Sequence, residues 1–281
     1  MHTLPRLTQA QAPLIQSIRA RNEHGQWQDV AIPAERALTV YVDKQERITL
    51  MTLGAHPEWL VLGYLRNQRL VSAASEVASI TVDWSAGDEQ AGAAAVKTHA
   101  GVADLSAHPD NRVVTTGCGQ GSVYADVMRD IDGLTLPDAH ISPNELLGIV
   151  NQIRLHDSLY KKAGSVHGCA LFDSERLLFF VEDVGRHNAL DTMAGWMWMN
   201  HLAGHAGLRI YTTGRLTSEM ILKAAQMGVA VVISRSGITQ MGYEMAQRLG
   251  VCAIGRAVHN RYLVYTTAHR VRAASMAQVT P

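Results

Sequence analysis

Hydrophobic and polar positions change period several times along the chain. Residues 37–53, ALTVYVDKQERITLMTL, alternate on either side of Asp43-Lys44-Gln45-Glu46, which predicts two strands joined as a hairpin. From Pro57, the residues Trp59, Leu62, Gly63, Leu65 and Arg66 recur at three- and four-residue spacings, predicting a helix with proline in its first turn. Val77, Ile80 and Val82 mark a strand within 76–83. Residues 84–122 are rich in Gly, Ala, Ser and Asp and show little periodicity. They predict a long loop, and loops of that length are often functional. Residues 1–30 are polar and irregular and predict a flexible arm.

The second half is more regular. Pro143 to Lys162 predicts one helix, capped by Ser142 and ended near Gly164. Strands are expected at Cys169–Phe172 and Leu177–Val181, and a helix at Asn188–Leu202. Strand Leu208–Tyr211, helix Thr217–Met227, strand Val229–Ser234, helix Thr239–Leu249, strand Val251–Ile254 and strand Tyr262–Thr266 follow. This β-α-β-α-β alternation predicts a parallel or mixed sheet covered by helices. The expected organisation is an arm over 1–30, an α+β part over 31–140 carrying the long loop, and an α/β core over 141–281.

Composition narrows the function classes. With 281 residues and 47% hydrophobic content the chain is long and apolar enough to bury a core. Lys+Arg and Asp+Glu both number 25, which argues against a basic nucleic-acid-coating protein. The first residues lack the apolar core of a secretory signal. No stretch reaches the ~20 apolar residues of a membrane helix. Ala194–Ala206 comes nearest, but Asn200, His201 and Gly204 break it, and its Trp196–Met199 cluster suits a buried or dimer-facing helix. Three cysteines with no C-x-x-C exclude a disulfide framework and a zinc ribbon. The expectation is a soluble, cytoplasmic protein with no resident metal, no nucleic-acid partner and no membrane partner. The neutral total hides an asymmetry: residues 1–140 hold 11 basic and 16 acidic side chains, whereas after residue 200 there are nine basic and only Glu219 and Glu244 acidic.

Several segments carry candidate chemistry. Gly117-Cys118-Gly119-Gln120-Gly121 lacks the spacing of a dinucleotide fingerprint and the Lys of a P-loop. It offers a cysteine with little steric shielding, in a turn whose amides can favour the thiolate. The alternative is a tight turn around a buried Cys. Cys169 and Cys252 lie in predicted strands and read as core residues. His167-Gly168-Cys169 lacks the Glu and the later P-C-x-x-C of zinc deaminases, so His167 is either a ligand-lining or a structural histidine. Glu182-Asp183-Val184-Gly185-Arg186-His187-Asn188 sits between a strand and a helix, where Arg186 and His187 could meet an anion, or where the charges could cap the helix in solvent. Thr212-Thr213-Gly214-Arg215-Leu216-Thr217-Ser218-Glu219 with Lys223, Ser234-Arg235-Ser236-Gly237 and Gly255–Arg261 each follow a strand. Three such loops on one sheet edge, in the basic segment, point to a phosphorylated ligand cradled by amides, hydroxyls and Arg215.

Taken together these segments resemble the FdhD family of sulfur-carrier proteins that mature formate dehydrogenases. The likeness runs from about residue 35 to 267. It rests on Glu35–Val42, Pro57–Leu60 with Leu62–Leu65, Thr116-Gly117-Cys118-Gly119, Gly164–His167, Glu182–Asp191, Thr213–Arg215 with Ser218–Met220, and Ile254–Ala257 through Tyr265. The resemblance implies a cytidine-deaminase-like α/β core with a mixed sheet plus a smaller N-terminal α+β part, as a homodimer. It implies a sulfurtransferase-type carrier that receives sulfur from a cysteine desulfurase as a Cys118 persulfide. That sulfur would pass to molybdenum in bis-molybdopterin guanine dinucleotide before the cofactor enters the apo formate dehydrogenase molybdenum subunit. The cofactor-binding stretch would be Arg256, Ala257, Val258, His259, Asn260 and Arg261, together with Gly214, Arg215, Ser234 and His167. The family often carries C-x-x-C where this chain has Gly121, and Arg where it has Val258. A chaperone that stores and inserts the cofactor without sulfur transfer is the alternative.

Overall fold

The computed structural model describes residues 3–86, 91–101, 113–114 and 133–272. They fall into two units, the first drawn from Met1–Arg129, Asp157–Cys169 and Val181–Leu202, the second from Asp130–His156, Ala170–Phe180 and Ala203–Pro281. Both are mixed α/β.

In the first unit the predicted hairpin is β4 (Arg36–Val42) and β5 (Gln45–Thr52), with Leu38 opposite Leu50 and Val40 opposite Ile48. Its turn is only Asp43-Lys44, both at positive φ (49° and 70°), the geometry that suits the twist of a tight hairpin. These strands centre a sheet ordered β1-β6-β7-β4-β5-β8, with β1 (Arg6–Leu7), β6 (Val77–Asp83), β7 (Ala91–Thr98) and β8 (Val113–Val114). Helix α1 (Pro57–Asn67) buries Leu60, Val61, Leu62 and Leu65 in the same apolar cluster as Leu38, Val40 and Ile80.

Strand β7 corrects the expected loop over 84–122. Its sequence AGAAAVKT alternates in burial, with Gly92, Ala94, Val96 and Thr98 inward, but small side chains hide the period. At Gly92 the absence of a side chain is required by the Trp84 indole: a Cβ there would stand 2.4 Å from its Cε3. The rest of that loop, including Cys118, lies outside the described residues. The expected arm over 1–30 is corrected as well. Residues 6–7 form β1, while β2 (Ile15–Arg21) and β3 (Trp27–Pro33) pair antiparallel as a separate two-stranded sheet. Much of that hairpin is exposed on both faces, so no apolar alternation announces it.

The predicted helix over 143–162 is two helices. Helix α2 (Pro143–Leu155) starts with a complete capping box: Ser142 Oγ accepts from Glu145 N at 3.1 Å, and the Glu145 carboxylate accepts from Ser142 N. His156 leaves helical geometry, and Ser158 caps a new short helix, α3 (Leu159–Ala163), by accepting from Lys161 N. The chain crosses from the second unit to the first at this break. Helix α4 (Arg186–Met199) returns to the first unit and crosses α1 at a glycine contact. A Cβ at Gly63 would stand 1.7 Å from Asp191 O, and one at Gly195 would stand 2.0 Å from Trp59 O. The Trp196–Met199 cluster packs inward: Met197 is buried, Trp198 and Met199 border the apolar cluster, and Arg66 stacks over Trp198.

The second sheet is ordered β10-β9-β11-β12-β13-β14. Its strands are β9 (His167–Asp173), β10 (Arg176–Asp183), β11 (Leu208–Thr212), β12 (Val231–Ser234), β13 (Cys252–Val258) and β14 (Arg261–Val264). β11, β12 and β13 are parallel, joined by α5 (Ser218–Gln226) and α6 (Gln240–Leu249), and β14 is antiparallel to β13. The second unit's core gathers Leu146, Ile149, Phe172, Ile233 and Ile254. Among the described residues no helix is long and apolar enough to cross a membrane.

Candidate functional site

The carboxyl ends of β11, β12 and β13 adjoin one another, as their order requires. The first two strands end in the same device. Thr212 and Ser234 are both fully buried, and each hydroxyl accepts the N–H two residues on, from Gly214 at 3.1 Å and Ser236 at 2.9 Å. The two connections are then stitched together. Ser234 Oγ donates to Gly214 O at 2.7 Å, Ser236 Oγ donates to Thr213 O at 2.9 Å, and Leu216 N donates to Gly237 O at 2.9 Å. Arg235 N donates to Thr212 O at 3.0 Å, and Arg256 N donates to Ser236 O at 2.7 Å, tying in the third strand.

This stitching occupies part of the expected cradle. The amides of Gly214, Leu216, Arg235, Ser236 and Arg256 are all engaged by the protein's own acceptors. An anion here would be met chiefly by guanidinium groups. Arg215 and Arg235 are exposed on the first two connections, Arg256 within β13 and Arg261 at the start of β14. The third connection is also not a loop opening a helix. Val258 pairs with Arg261 across a two-residue turn, His259-Asn260, so 252–264 is a β-hairpin whose end is exposed at Val258, His259, Asn260 and Arg261. Ala257 points into the core at 1% exposure, and Ser234 serves as an internal staple.

Two further residues shape this edge. Thr212 repeats the role of Ser234, a parallel legible in the Thr/Ser that ends each strand. Tyr265 lies against Gly255, where a Cβ would stand 2.6 Å from its Cε2 and 2.9 Å from Ser236 O. The tyrosine ring thus borders the stitched connections. Beneath them, burial pushes the Tyr211 phenol up to about 12 against the opposing charge of Arg235, so it stays neutral.

The Glu182–Asp191 stretch has a different place. Glu182 and Asp183 are buried rather than solvated. The Glu182 carboxylate accepts from Leu159 N at 2.5 Å and Tyr160 N at 3.1 Å, holding the start of α3. Asp183 Oδ2 accepts from Thr52 Oγ1 at 2.5 Å and Leu53 N at 3.3 Å, while Oδ1 accepts from Gly185 N and Asn188 Nδ2, both at 3.2 Å. Asn188 also donates to Met51 O at 2.6 Å. Burial outweighs these donors and pushes the Asp183 pKa up to about 6. Asp191 accepts from Asn67 Nδ2 at 2.7 Å. These acids therefore anchor α4 to the end of β5 and to α1, and Arg186 and His187 occupy the first turn of α4 half-buried.

His167 opens β9 in the first unit, half-buried. Cys169 and Cys252 are core residues as expected, both at 0% exposure, and burial pushes the Cys252 thiol up to about 11. Cys118 and Gly121 lie outside the described residues.

Comparison with known proteins bears on the whole chain. The family model described as the FdhD/NarQ family matches residues 33–272. The sulfur carrier protein FdhD of Bacillus subtilis (strain 168) is 32% identical over 248 residues, spanning 85% of this chain and 89% of the relative. The protein of that name from Bacillus licheniformis is 31% identical over 251 residues, spanning 87% and 91%. A crystal structure from Desulfotalea psychrophila, classed with formate dehydrogenase accessory proteins, superposes with a TM-score of 0.71 at 23% identity, covering 92% of this chain and all of that one.

Proposed function

The chain belongs to the FdhD/NarQ family, and from that premise we propose that it is a sulfur carrier in formate dehydrogenase maturation, with bis-molybdopterin guanine dinucleotide as its cargo. The observation that carries the cargo assignment is the arginine-bearing edge of β11–β13. Four exposed guanidinium groups, two on connections hydrogen-bonded to each other and two on the β13–β14 hairpin, suit a ligand with several phosphates. The requirement is charge and shape together, and the basic segment after residue 200 supplies the charge.

The sulfur step falls to Cys118. Its thiolate attacks the terminal sulfur of a desulfurase persulfide; that S–S bond breaks, a new one forms on Cys118, and the desulfurase cysteine leaves as a thiolate. Delivering the terminal sulfur onward as sulfide takes two electrons. Gly121 supplies no resolving thiol, and Cys169 and Cys252 are buried, so an external thiol reductant provides them. The partners on this reading are a cysteine desulfurase and the apo formate dehydrogenase molybdenum subunit, acting on a cytoplasmic homodimer.

The missing second thiol also favours the alternative, a chaperone that holds and inserts the finished cofactor. Incubation with a desulfurase and cysteine, followed by intact-mass measurement, separates the two. A single added sulfur atom, lost in Cys118→Ala together with formate dehydrogenase maturation in cells, is the expected result. Undiminished maturation by Cys118→Ala would leave the chaperone.

A further inference from the structure

The first unit contains a cleft of about 530 Å³, a size typical of small-ligand sites. Half of its lining residues come from residues 5–11, which precede the span matched by the family model. The remainder comes from Ala55 and the start of α1, with Met199 at the end of α4.

Its chemistry centres on Glu58, only 5% exposed. Oε1 accepts from Thr8 Oγ1 at 2.6 Å and from Ala10 N at 2.8 Å. Among the described residues Oε2 takes no hydrogen bond, and no Lys or Arg pairs with the carboxylate. Glu58 is also the one acidic or basic lining residue besides His56. Burial lowers the His56 pKa, against the opposing pull of Glu58, which keeps the imidazole neutral. His56 lies against Trp59 with ring centroids 4.6 Å apart, so an aromatic pair borders the acid. Gln9 and Gln11 add amides to the wall, and Met199 adds a polarizable thioether.

Glu58 therefore gives the cleft wall a negatively charged acceptor, and an oxygen that no described residue engages suits a donor of opposite charge. The neighbouring indole selects among cations. A compact ammonium is strongly hydrated, whereas a guanidinium is planar, weakly hydrated and able to stack on an aromatic ring while donating in its own plane. We propose that this cleft binds a guanidinium group, with Glu58 Oε2 as its acceptor and Trp59 as its stacking surface. The group comes from a free guanidino compound or from an arginine side chain of a partner protein. Its named residues include neither Cys118 nor an arginine of the β11–β13 edge, so it stands or falls apart from the sulfur-carrier reading.

Titration calorimetry on the full chain tests it with three probes: methylguanidinium, N-acetyl-arginine amide and N-acetyl-lysine amide. Both guanidinium probes should bind, at least tenfold more tightly than the lysine probe. Arginine amide gaining a further tenfold over methylguanidinium indicates a protein source, and equal affinities indicate a free compound. Glu58→Gln keeps a carbonyl oxygen for Thr8 and Ala10 and should weaken binding roughly tenfold or more, the loss expected when a charge-assisted bond becomes neutral. Trp59→Leu, a second variant that leaves that acid in place, should weaken it as well. Failure of both guanidinium probes to bind the wild-type chain, or equal binding of the lysine probe, overturns the proposal even if Glu58→Gln unfolds. Unchanged affinity in a folded Glu58→Gln does the same.

Discussion

Replacing Gly195 with alanine tests the packing of the first unit in sign as well as size. Within an isolated helix, alanine is favoured over glycine by about 1 kcal/mol. If α4 merely lay near α1, Gly195→Ala would therefore stabilise the protein. The structure requires the opposite. The new Cβ would stand 2.0 Å from Trp59 O and 3.0 Å from Gly63 N, whereas ordinary contact begins near 3.4 Å. Both obstacles are backbone atoms of α1, so no side chain can swing aside. The helices must separate by more than 1 Å, which loosens the Asn67–Asp191 hydrogen bond and the apolar cluster beneath α1. Overpacking of this kind costs about 1–3 kcal/mol and sometimes more. A backbone-to-backbone clash as deep as 2.0 Å belongs at the upper end of that range, about 3 kcal/mol, so after the propensity gain of about 1 kcal/mol a net loss of about 2 kcal/mol is expected, a fall in melting temperature of about 4–8 °C for a protein of this size. Gly148→Ala in α2 is the internal control. Its Cβ would meet only Glu175 Cδ, at 3.6 Å, so it should hold or raise the melting temperature. Calorimetric melting of both variants decides the matter: a Gly195→Ala protein as stable as wild type refutes the close helix crossing.

Other perturbations probe the buried acid and the stitched edge. Asp183 titrates at about 6 in the fold against 3.8 for the free side chain, so stability is highest with the carboxyl protonated and falls as pH rises from about 4 to about 6, by about 3 kcal/mol in total. Asp183→Asn should remove that part of the pH profile in urea denaturation, and a wild-type-to-variant difference that stays constant across the window contradicts the burial argument. Ser234→Ala leaves Gly214 O and Ser236 N without the buried partner they share and should cost about 1–3 kcal/mol in denaturant unfolding. Loss of guanosine diphosphate affinity in Arg215→Gln and Arg256→Gln, with unfolding midpoints unchanged, would tie the edge to phosphates rather than to stability.

What could be read from the sequence depended on side-chain size and on which faces are covered. The runs ending at Tyr211, Ser234 and Ile254 are apolar on both faces, and the helices between them carry clear 3.6-residue stripes, so the parallel half of the second sheet was legible. Ser142 marked the start of α2 correctly. Strand β7 escaped notice because residues 91–95 are all alanine or glycine, on both faces, with Trp84 lying over Gly92. β2 and β3 escaped because neither of their faces is well buried. The break at His156 has no glycine or proline to signal it; the stop comes from Ser158 and from Glu182, distant in sequence. At the basic edge the residues were found but the division of labour was not. Amides that looked available for a ligand hold the neighbouring connection, a fact only the strand order exposes. The Glu182–Asp191 stretch was prominent as a motif, yet its acids turned out to be internal anchors.

The glycine contact between α1 and α4 has a consequence for how the chain is made. α1 ends at Asn67, while α4 ends only at Met199. A nascent polypeptide leaving the ribosome therefore presents the sheet of the first unit and one helix long before the helix that covers Gly63 exists. The whole of the second unit's helix α2 emerges in between. Vectorial, one-domain-at-a-time folding is closed to this architecture; the N-terminal portion must wait, with apolar surface uncovered, until roughly two-thirds of translation is complete. The same interleaving means that no single cut in the gene releases either unit whole, so the two are inherited and synthesised as one piece.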